Sequence, residues 1–537
     1  MRGTMMEGPL LVPALLDRAA RYFPDVEVVS RQPDKSVHRT NWGEVHRRSR
    51  ALAESLSRLG MRKGDRVATL MWNHARHLET YFAVPLLGGI THTLNLRLHP
   101  DDLASIATHA GDRFLVVDDV LWPLFDKFRS RSPFERVIVV RHGATELPVG
   151  SLDYEQLVAS GNPSFTPPQL DETDACGLCY TSGTTGKNKG VVYTHRSTVL
   201  HTLMIPYADG IALRSSDSLL PVVPMFHVNA WGLPFAAPMV GAKLVFPGPH
   251  LDAQSLLQLM ESEKVTIGAG VPTIWMGILD ALDKEPKRYK LQKDIRMVVG
   301  GSAAPEALIR GFDRHGLHLL HAWGMTEMSP IGSCAQLKPK MQDWDYDAKI
   351  AVRAKQGLPA PLVDVRAMDE TGREVPWDGK TQGELQVRGP AVASSYTDME
   401  GSADRWTRDG WFKTGDVVTI DPEGYLQITD RTKDLIKSGG EWISSVALEN
   451  ELMGHPAVKE AAVVAVPHPK WAERPLAAIV LREGAKVTPE ELREYLLGRV
   501  AKFSVPDAFV FVDAIPRTTT GKFLKSALRE RFKNHKL

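Results

Sequence analysis

The sequence predicts an α/β protein. A large N-terminal domain of layered α/β subdomains carries a small β-barrel, and a small α+β C-terminal domain follows. Three observations predict this. From about residue 40 to 340, short β-rich runs alternate with helical periods, the pattern of buried parallel strands flanked by helices. From about 357 to 430, short strands come between turn signals and read as a small antiparallel barrel or sheet. After "TDRTKDLIKSGGEW" a compact segment carries two apolar strands and a capped helix. A chain of 537 residues is too long for one core. We set the large domain at 1–430, with α/β subdomains to about 345 and the barrel at about 346–430, and the small domain at 431–537.

In chain order, Leu10 to Phe23 reads as an amphipathic helix. It resembles a signal-peptide core only briefly: it is short, broken by Pro13, followed by Asp17 and Arg18, and has no small-residue cleavage site. The strand candidates are "RVATLMW" (66–72), "FLVVDD" (114–119), "RVIVV" (136–140), "AKLVF" (242–246), "VTIGAG" (265–270) and "IRMVVGG" (295–301). Between them lie helices such as "WGEVHRRSRALAESLSRLG" and "PEALIRGFDRHG", where Pro305 suits a first turn and Gly316 a stop. The Asp-Gly pair at 409–410 and the Glu-Gly pair at 423–424 suit hairpins. In the tail, "AAVVAV" and "LAAIVL" read as strands. In "TPEELREYLLGRV", Thr488 caps a helix, Pro489 takes its first position and Glu491 closes a capping box.

Composition narrows the function. Charged residues make up 24% and the net charge is +1, which gives no support for a nucleic-acid partner. No apolar run approaches a membrane span. Cys176, Cys179 and Cys334 show no paired metal spacing. Cys176-x-x-Cys179 matches a redox pair superficially, but it lies in an apolar run that reads as a buried strand, so a structural role and a reducing cytoplasm are expected.

"YTSGTTGKNKGVVYTH" (180–195) carries the first chemistry. Its glycines permit close backbone approach, its hydroxyls donate, and Lys187 and Lys189 add charge, so it suits an anion. It is not the P-loop of nucleotide triphosphatases: Thr181 stands where the first Gly belongs, and Asn188, not Ser or Thr, follows Lys187. By itself the stretch reads nearly as well as a solvated surface loop. Downstream come "PMFHVNAWG" (224–232), "VVGGSAAP" (298–305), "HAWGMTE" (321–327), "GELQVRG" (383–389), "GWFKTGD" (410–416), "DRTKDLIKSGGEWIS" (430–444) and "PRTTTGKFLK" (516–525).

In this order and spacing the motifs resemble the adenylate-forming enzymes: acyl-CoA synthetases, adenylation domains and luciferases. The similarity is closest to bacterial medium- and long-chain fatty acyl-CoA synthetases. It implies an ATP-dependent acid–CoA ligase. A carboxylate attacks the α-phosphorus of ATP to give acyl-AMP and pyrophosphate, and CoA then takes the acyl group. The implied cofactors are ATP, Mg²⁺ and CoA.

The resemblance also implies roles, residue by residue. Thr181, Ser182, Gly183, Thr184, Thr185, Gly186 and Lys189 wrap the phosphates, with Asn188 where the family usually has Pro. Glu327 and Thr184 meet the Mg²⁺, and Thr326 bonds the α-phosphate. Gly301, Ser302, Ala303, Gly324 and Met325 hold the nucleotide, and Trp323 covers the adenine in place of the usual Tyr. Asp416 and Arg431 bind the ribose. Lys522 bridges the acid and the α-phosphate. His227, Val228, Trp231, Gly301 and Gly324 line the acyl pocket; a core role rivals His227 and Trp231. If a helix starts at His227, Trp231 shares its face.

The resemblance makes the small domain mobile, rotating about a hinge near 430–435 at Lys433. Rotation presents Lys437, Ser438, Gly439, Gly440, Glu441 and Trp442 to CoA. It further implies a homodimer. The acid is left open among fatty, short-chain, sulfur-containing, branched and aromatic ones. A ligase with a non-CoA acceptor, a non-enzymatic acyl-nucleotide binder and a plain ATPase are the rival readings. The basic final helix reads as solvated rather than membrane-touching.

Overall fold

A computed structural model describes residues 3–143, 146–181, 189–397, 403–438, 441–518 and 522–535, with the backbone alone at Glu441. Two large sheets build the N-terminal part. A seven-stranded sheet runs Leu152–Asp153, Arg136–Val140, Asp112–Asp118, Arg66–Leu70, Ile90–Thr93, Ala175–Tyr180, Gly190–Thr194 in spatial order. All pairs are parallel except the last. In a nine-stranded sheet the parallel centre is His318–Gly324, Arg296–Val299, Ile267–Gly270, Ser218–Pro221, Lys243–Phe246 and Glu27–Arg31. The six sequence-read strands in this region all form, within two or three residues of their expected ends.

Helix Ala75–Leu86 lies between the two sheets. It is buried along nearly its whole length, with His77, Glu79 and Thr80 among the buried residues. Tyr81 and Phe82 join the core of the nine-stranded sheet, whereas Ala83, Val84 and Leu86 join that of the seven-stranded one. Its one buried acid, Glu79, is held by Arg48 (2.8 Å) and the Tyr154 hydroxyl (2.7 Å). At the N-terminus the amphipathic helix is Pro13–Tyr22, with Pro13 opening it rather than breaking it. Pro305 stands at an N-cap, one residue before its expected place.

The expected small barrel is an open antiparallel sheet of four strands among the described residues: Asp364–Met368, Gly383–Arg388, Phe412–Ile420 and Leu426–Arg431. It does not close on itself because its apolar face packs elsewhere. Leu385, Val387, Phe412 and Val418 share a core with Tyr193 and Trp323 of the large sheets and with Met328.

The small C-terminal domain pairs Val458–His468 with Ala472–Leu481, sets Ala508–Phe511 parallel to the latter, and adds the hairpin Ile436–Ser438 and Glu441–Ile443. Helices Ser445–Met453, Pro489–Leu497 and Lys525–Phe532 cover it. Both hydrogen bonds of the Thr488–Glu491 capping box form. The chain leaves the four-stranded sheet at Arg431 and enters the small one at Ile436, so Lys433 lies in the connection. Cys176, Cys179 and Cys334 are free and buried, and burial pushes the Cys176 and Cys334 thiols up to about 12, which suits inert core residues. No helix among the described residues is long and apolar enough to cross a membrane.

Candidate active site

The carboxyl ends of parallel strands open into a crevice, where α/β sheets place their ligands. Strand Arg296–Val299 delivers Gly300 and Gly301 there, and strand His318–Gly324 delivers Trp323 and Gly324. Two adjoining cavities of about 220 and 290 Å³ fill the crevice. Both are lined by Gly301, Trp323, Gly324, Arg431, Lys433 and Lys522. Gly301 adopts φ 87°, a conformation that favours glycine. A side chain at Gly324 would put its Cβ 2.0 Å from the Pro330 carbonyl oxygen, so the strand leaves the sheet where only glycine fits.

One cavity has the makings of a nucleoside site. Ser302, Ala303 and Asp416 line it beside Trp323 and Arg431. Asp416 is 2% exposed and already held from two sides, by the Trp323 indole N–H at 3.0 Å and by Arg431 Nε at 3.1 Å. The sequence reading assigned Trp323 only a stacking surface. The indole N–H is in fact a hydrogen-bond donor to the Asp416 carboxylate, a pairing that no sequence spacing announces.

The other cavity joins a polar end, where the phosphates are expected, to an apolar end. At the polar end stand Thr181, Lys189, Met325, Thr326 and Glu327. Strands Ala175–Tyr180 and Gly190–Thr194 form a hairpin, closed at its base where Thr181 N–H donates to the Lys189 carbonyl (2.9 Å). Ser182, Gly183, Thr184, Thr185 and Gly186 lie outside the described residues. Tyr396, which the sequence reading missed, ties this end together. Its hydroxyl donates to Glu327 Oε1 at 2.5 Å, and its ring receives the Lys189 ammonium at 4.9 Å from the centroid. The Ala393 N–H also holds the Glu327 carbonyl (2.7 Å). An aromatic in "SSYTD" gives little signal in sequence, because the partner Glu is 69 residues away.

At the apolar end stand Ile211, Val228, Trp231, Val298, Gly300 and Ile331, with His227 beside them. No right-handed helix starts at His227, the condition on which Trp231 would share its face. Val228 to Trp231 wind left-handed, with φ of 48°, 53°, 46° and 59°, and Gly232 completes the turn at 75°. Such a turn costs about 1–2 kcal/mol per residue. Buried bonds hold it in place: Tyr81 donates to the Met225 carbonyl (2.6 Å) and to Asn229 Oδ1 (3.1 Å), and the Asn73 side chain bonds Met225 N–H and the Val223 carbonyl. The left-handed turn lays the Trp231 indole against Gly300, where an added Cβ would meet it at 3.2 Å. His227 and Trp231 thus reach one cavity without sharing a helical face. Burial pushes the His227 imidazole down to about 3, with Lys522 adding to the effect, so it is neutral.

Lys522 arrives from the tail, far away in sequence. Its half-buried ammonium faces Arg431, Asp416 and Glu327. Burial and then the Arg431 guanidinium push it down to about 8. Lys437, Ser438 and Trp442 line neither cavity. They lie on the small domain's hairpin, Lys437 over the Trp442 ring and Ser438 accepting from Arg474 (3.1 Å). Gly439, Gly440 and the Glu441 side chain lie outside the described residues.

Glu327 offers what a hard cation needs beside phosphates. Its carboxylate lines the cavity, and only one of its oxygens accepts a hydrogen bond among the described residues.

Residues 16–397 match the family model described as AMP-binding enzyme, and 447–522 match its C-terminal domain. A long-chain-fatty-acid–CoA ligase of Thermus thermophilus is 51% identical over 99% of this chain and 97% of its own. A 3-methylmercaptopropionyl-CoA ligase of Ruegeria lacuscaerulensis is 45% identical over 99% of both. Among solved structures, an ATP-bound MatB from Rhodopseudomonas palustris superposes with a TM-score of 0.81 at 26% identity, over 97% of this chain and 99% of that one. With most of its length matched by the family model and near-complete coverage by close relatives, the chain belongs to the AMP-binding enzyme family, the adenylate-forming enzymes.

Proposed function

We propose that the chain is an AMP-forming acyl-CoA synthetase for medium- to long-chain fatty acids. The observation that carries this is Lys522: it lines both the nucleoside cavity and the cavity with the apolar end. The acid's chain lies along Val228, Trp231 and Ile331, with its carboxylate near His227. A neutral His227 spares the acid's neighbourhood a second cation. Asp416 accepts the ribose hydroxyls while Arg431 and Trp323 hold it. Lys189, Thr181 and the loop 182–188 take the β- and γ-phosphates, and Thr326 the α-phosphate. The two anions of the first step meet beside one preorganised ammonium, the kind of group worth about 10²–10³ in rate. Glu327, with Thr184, is the ligand for Mg²⁺, which supplies charge neutralisation on the phosphates when bound.

The second step needs another arrangement. Lys437, Ser438 and Trp442 stand away from the cavities, so rotation of the small domain about Lys433 brings their face to CoA and withdraws Lys522. Three buried free cysteines and the lack of a spanning helix among the described residues fit the cytoplasm. We expect a homodimer, which light scattering after size exclusion checks directly; a monomer mass refutes it.

The first test incubates the enzyme with ATP, Mg²⁺ and CoA against straight acids of graded length, plus branched, aromatic and sulfur-containing ones. AMP, pyrophosphate and free thiol are followed together. Thiol loss matched to AMP, highest for medium or long chains, is expected. Pyrophosphate without thiol loss moves the reading to another acceptor. A short sulfur-containing acid is the second reading, favoured by the cavity volume of about 290 Å³ with Trp231 in place and by the Ruegeria relative.

A further inference from the structure

We infer that Asp430, Ser445 and Lys525 form a clamp between the two domains that positions Lys522 for adenylation. This rests on the role proposed for Lys522. Successive residues of a strand point to opposite faces. Arg431, at the end of strand Leu426–Arg431, turns toward Asp416 in the site. Asp430 therefore faces the small domain, where with Glu449 and Lys525 it lines the far side of the same cavity, and it is 1% exposed.

There the Asp430 carboxylate meets the N-terminus of helix Ser445–Met453. Ser445 donates to Oδ2 twice, from N–H at 2.6 Å and from its hydroxyl at 2.7 Å. A carboxylate at a helix N-terminus also gains from the helix dipole. One residue earlier, the Ser444 hydroxyl donates to the Thr429 carbonyl. The four-stranded sheet of the large domain is thus stitched to the first helix of the small one through the Thr429 carbonyl and the Asp430 carboxylate, both within two residues of Arg431.

The stitch continues to Lys522. The Ser445 hydroxyl, which donates to Asp430, accepts from the Lys525 ammonium at 2.6 Å. Lys525 also pairs with Glu449 at 2.7 Å, and Glu449 takes the Val463 N–H of the small sheet, also at 2.7 Å. Lys525 opens the last helix, three residues beyond Lys522. Lys522 itself is tied back to Thr518, through a carbonyl that accepts from Thr518 N–H (2.7 Å) and an N–H that donates to Thr518 Oγ1 (3.1 Å). Lys525 therefore fixes the register of the Lys522 segment against the strand end that carries Arg431.

The same geometry makes the clamp specific to one arrangement. Asp430 belongs to the large domain's sheet, whereas Ser445, Glu449 and Lys525 move with the small one. Rotation about Lys433 must part Asp430 from Ser445. Losing a clamp residue should slow the step that needs Lys522 in place and spare the step that needs it withdrawn. Misplacing a reacting group by about 1 Å can cost about 100-fold.

The test separates the half-reactions, with dodecanoate and synthetic dodecanoyl-AMP as probes. Dodecanoate-dependent ATP–pyrophosphate exchange reads adenylation, and dodecanoyl-AMP with CoA reads thiolysis. Asp430→Asn and Lys525→Met should each lower exchange about 10- to 100-fold and leave thiolysis within about threefold of wild type. Lys525→Arg should restore most of the exchange, which a general loss of folding would not allow. Exchange unchanged in both variants, or exchange and thiolysis falling in parallel, overturns the clamp.

A wild type that shows no exchange with any acid refutes the proposed function instead. The clamp is then judged without substrate, by the distance between spin labels at Lys284→Cys and Lys486→Cys, both exposed, one in each domain. A broader distribution in Asp430→Asn and Lys525→Met supports it, and an unchanged one overturns it.

Discussion

Adenylation should fail on the alkaline side at an unusually low pH, because Lys522 holds its proton weakly. An ordinary lysine titrates at 10.5, and burial together with Arg431 brings this one to about 8. Its ammonium is then about 90% formed at pH 7 and about 10% at pH 9. The active form is the cation, so kcat/KM for acid-dependent pyrophosphate exchange should bend near pH 8 and fall about tenfold per pH unit above it. The dependence of kcat/KM reports the free enzyme, before ATP phosphates can restore the proton.

Thiolysis of supplied acyl-AMP, run in the same buffers, should lack this limb. Lys522→Ala should lose about 10²–10³ in exchange and show the limb no longer. The shift has a stability counterpart of defined sign. A lysine with a depressed folded pKa burdens the fold while it is charged. At roughly 1.36 kcal/mol per pH unit, the displacement corresponds to about 3 kcal/mol. That cost is fully present below pH 8 and disappears as pH rises from about 8 to 10.5. Lys522→Met should therefore raise the denaturation midpoint at pH 7 and lose that advantage near pH 10.5. An exchange profile flat to pH 10, or an alkaline limb shared by thiolysis and by Lys522→Ala, refutes the reasoning.

Four further outcomes are expected. Trp323→Phe keeps a ring but leaves the buried Asp416 carboxylate without its indole donor, which at about 1–3 kcal/mol should raise the KM for ATP by roughly tenfold or more; initial rates with varied ATP check it. Tyr396→Phe frees Glu327 Oε1 and should move the Mg²⁺ concentration for half-maximal exchange by several-fold, whereas an unchanged Mg²⁺ titration would mean that Tyr396 only packs. Trp231→Ala removes the wall against Gly300 and should shift the chain-length profile toward longer acids; an unaltered profile removes Trp231 from substrate selection. Lys433→Pro fixes φ in the connection while removing no hydrogen bond from the Lys433 N–H among the described residues, so thioester formation should slow while pyrophosphate exchange persists.

The sequence by itself determined the layered α/β class, six strands of the large sheets, the capped helix at Thr488 and, through the resemblance its motifs carry, the family. These are properties of local pattern: alternation of strand and helix periods, turn pairs such as Asp409–Gly410, and motifs whose residue types suit phosphate, ribose and carboxylate. It also placed the change of architecture near residue 430, through a shift in local texture. The tertiary structure decided how those residues pair. The four-stranded sheet stays open because its apolar face is covered by Tyr193 and Trp323, and nothing in its own 74 or so residues announces that cover. Val228 to Trp231 turn left-handed because Asn73 and Tyr81, more than 140 positions earlier, hold the adjoining backbone. The indole bond to Asp416, the Tyr396 bond to Glu327, and the clamp from Asp430 to Lys525 each join residues remote in sequence. Side-chain hydrogen bonds depend on distances of tenths of an ångström, and those distances are set only when separate sheets pack against one another.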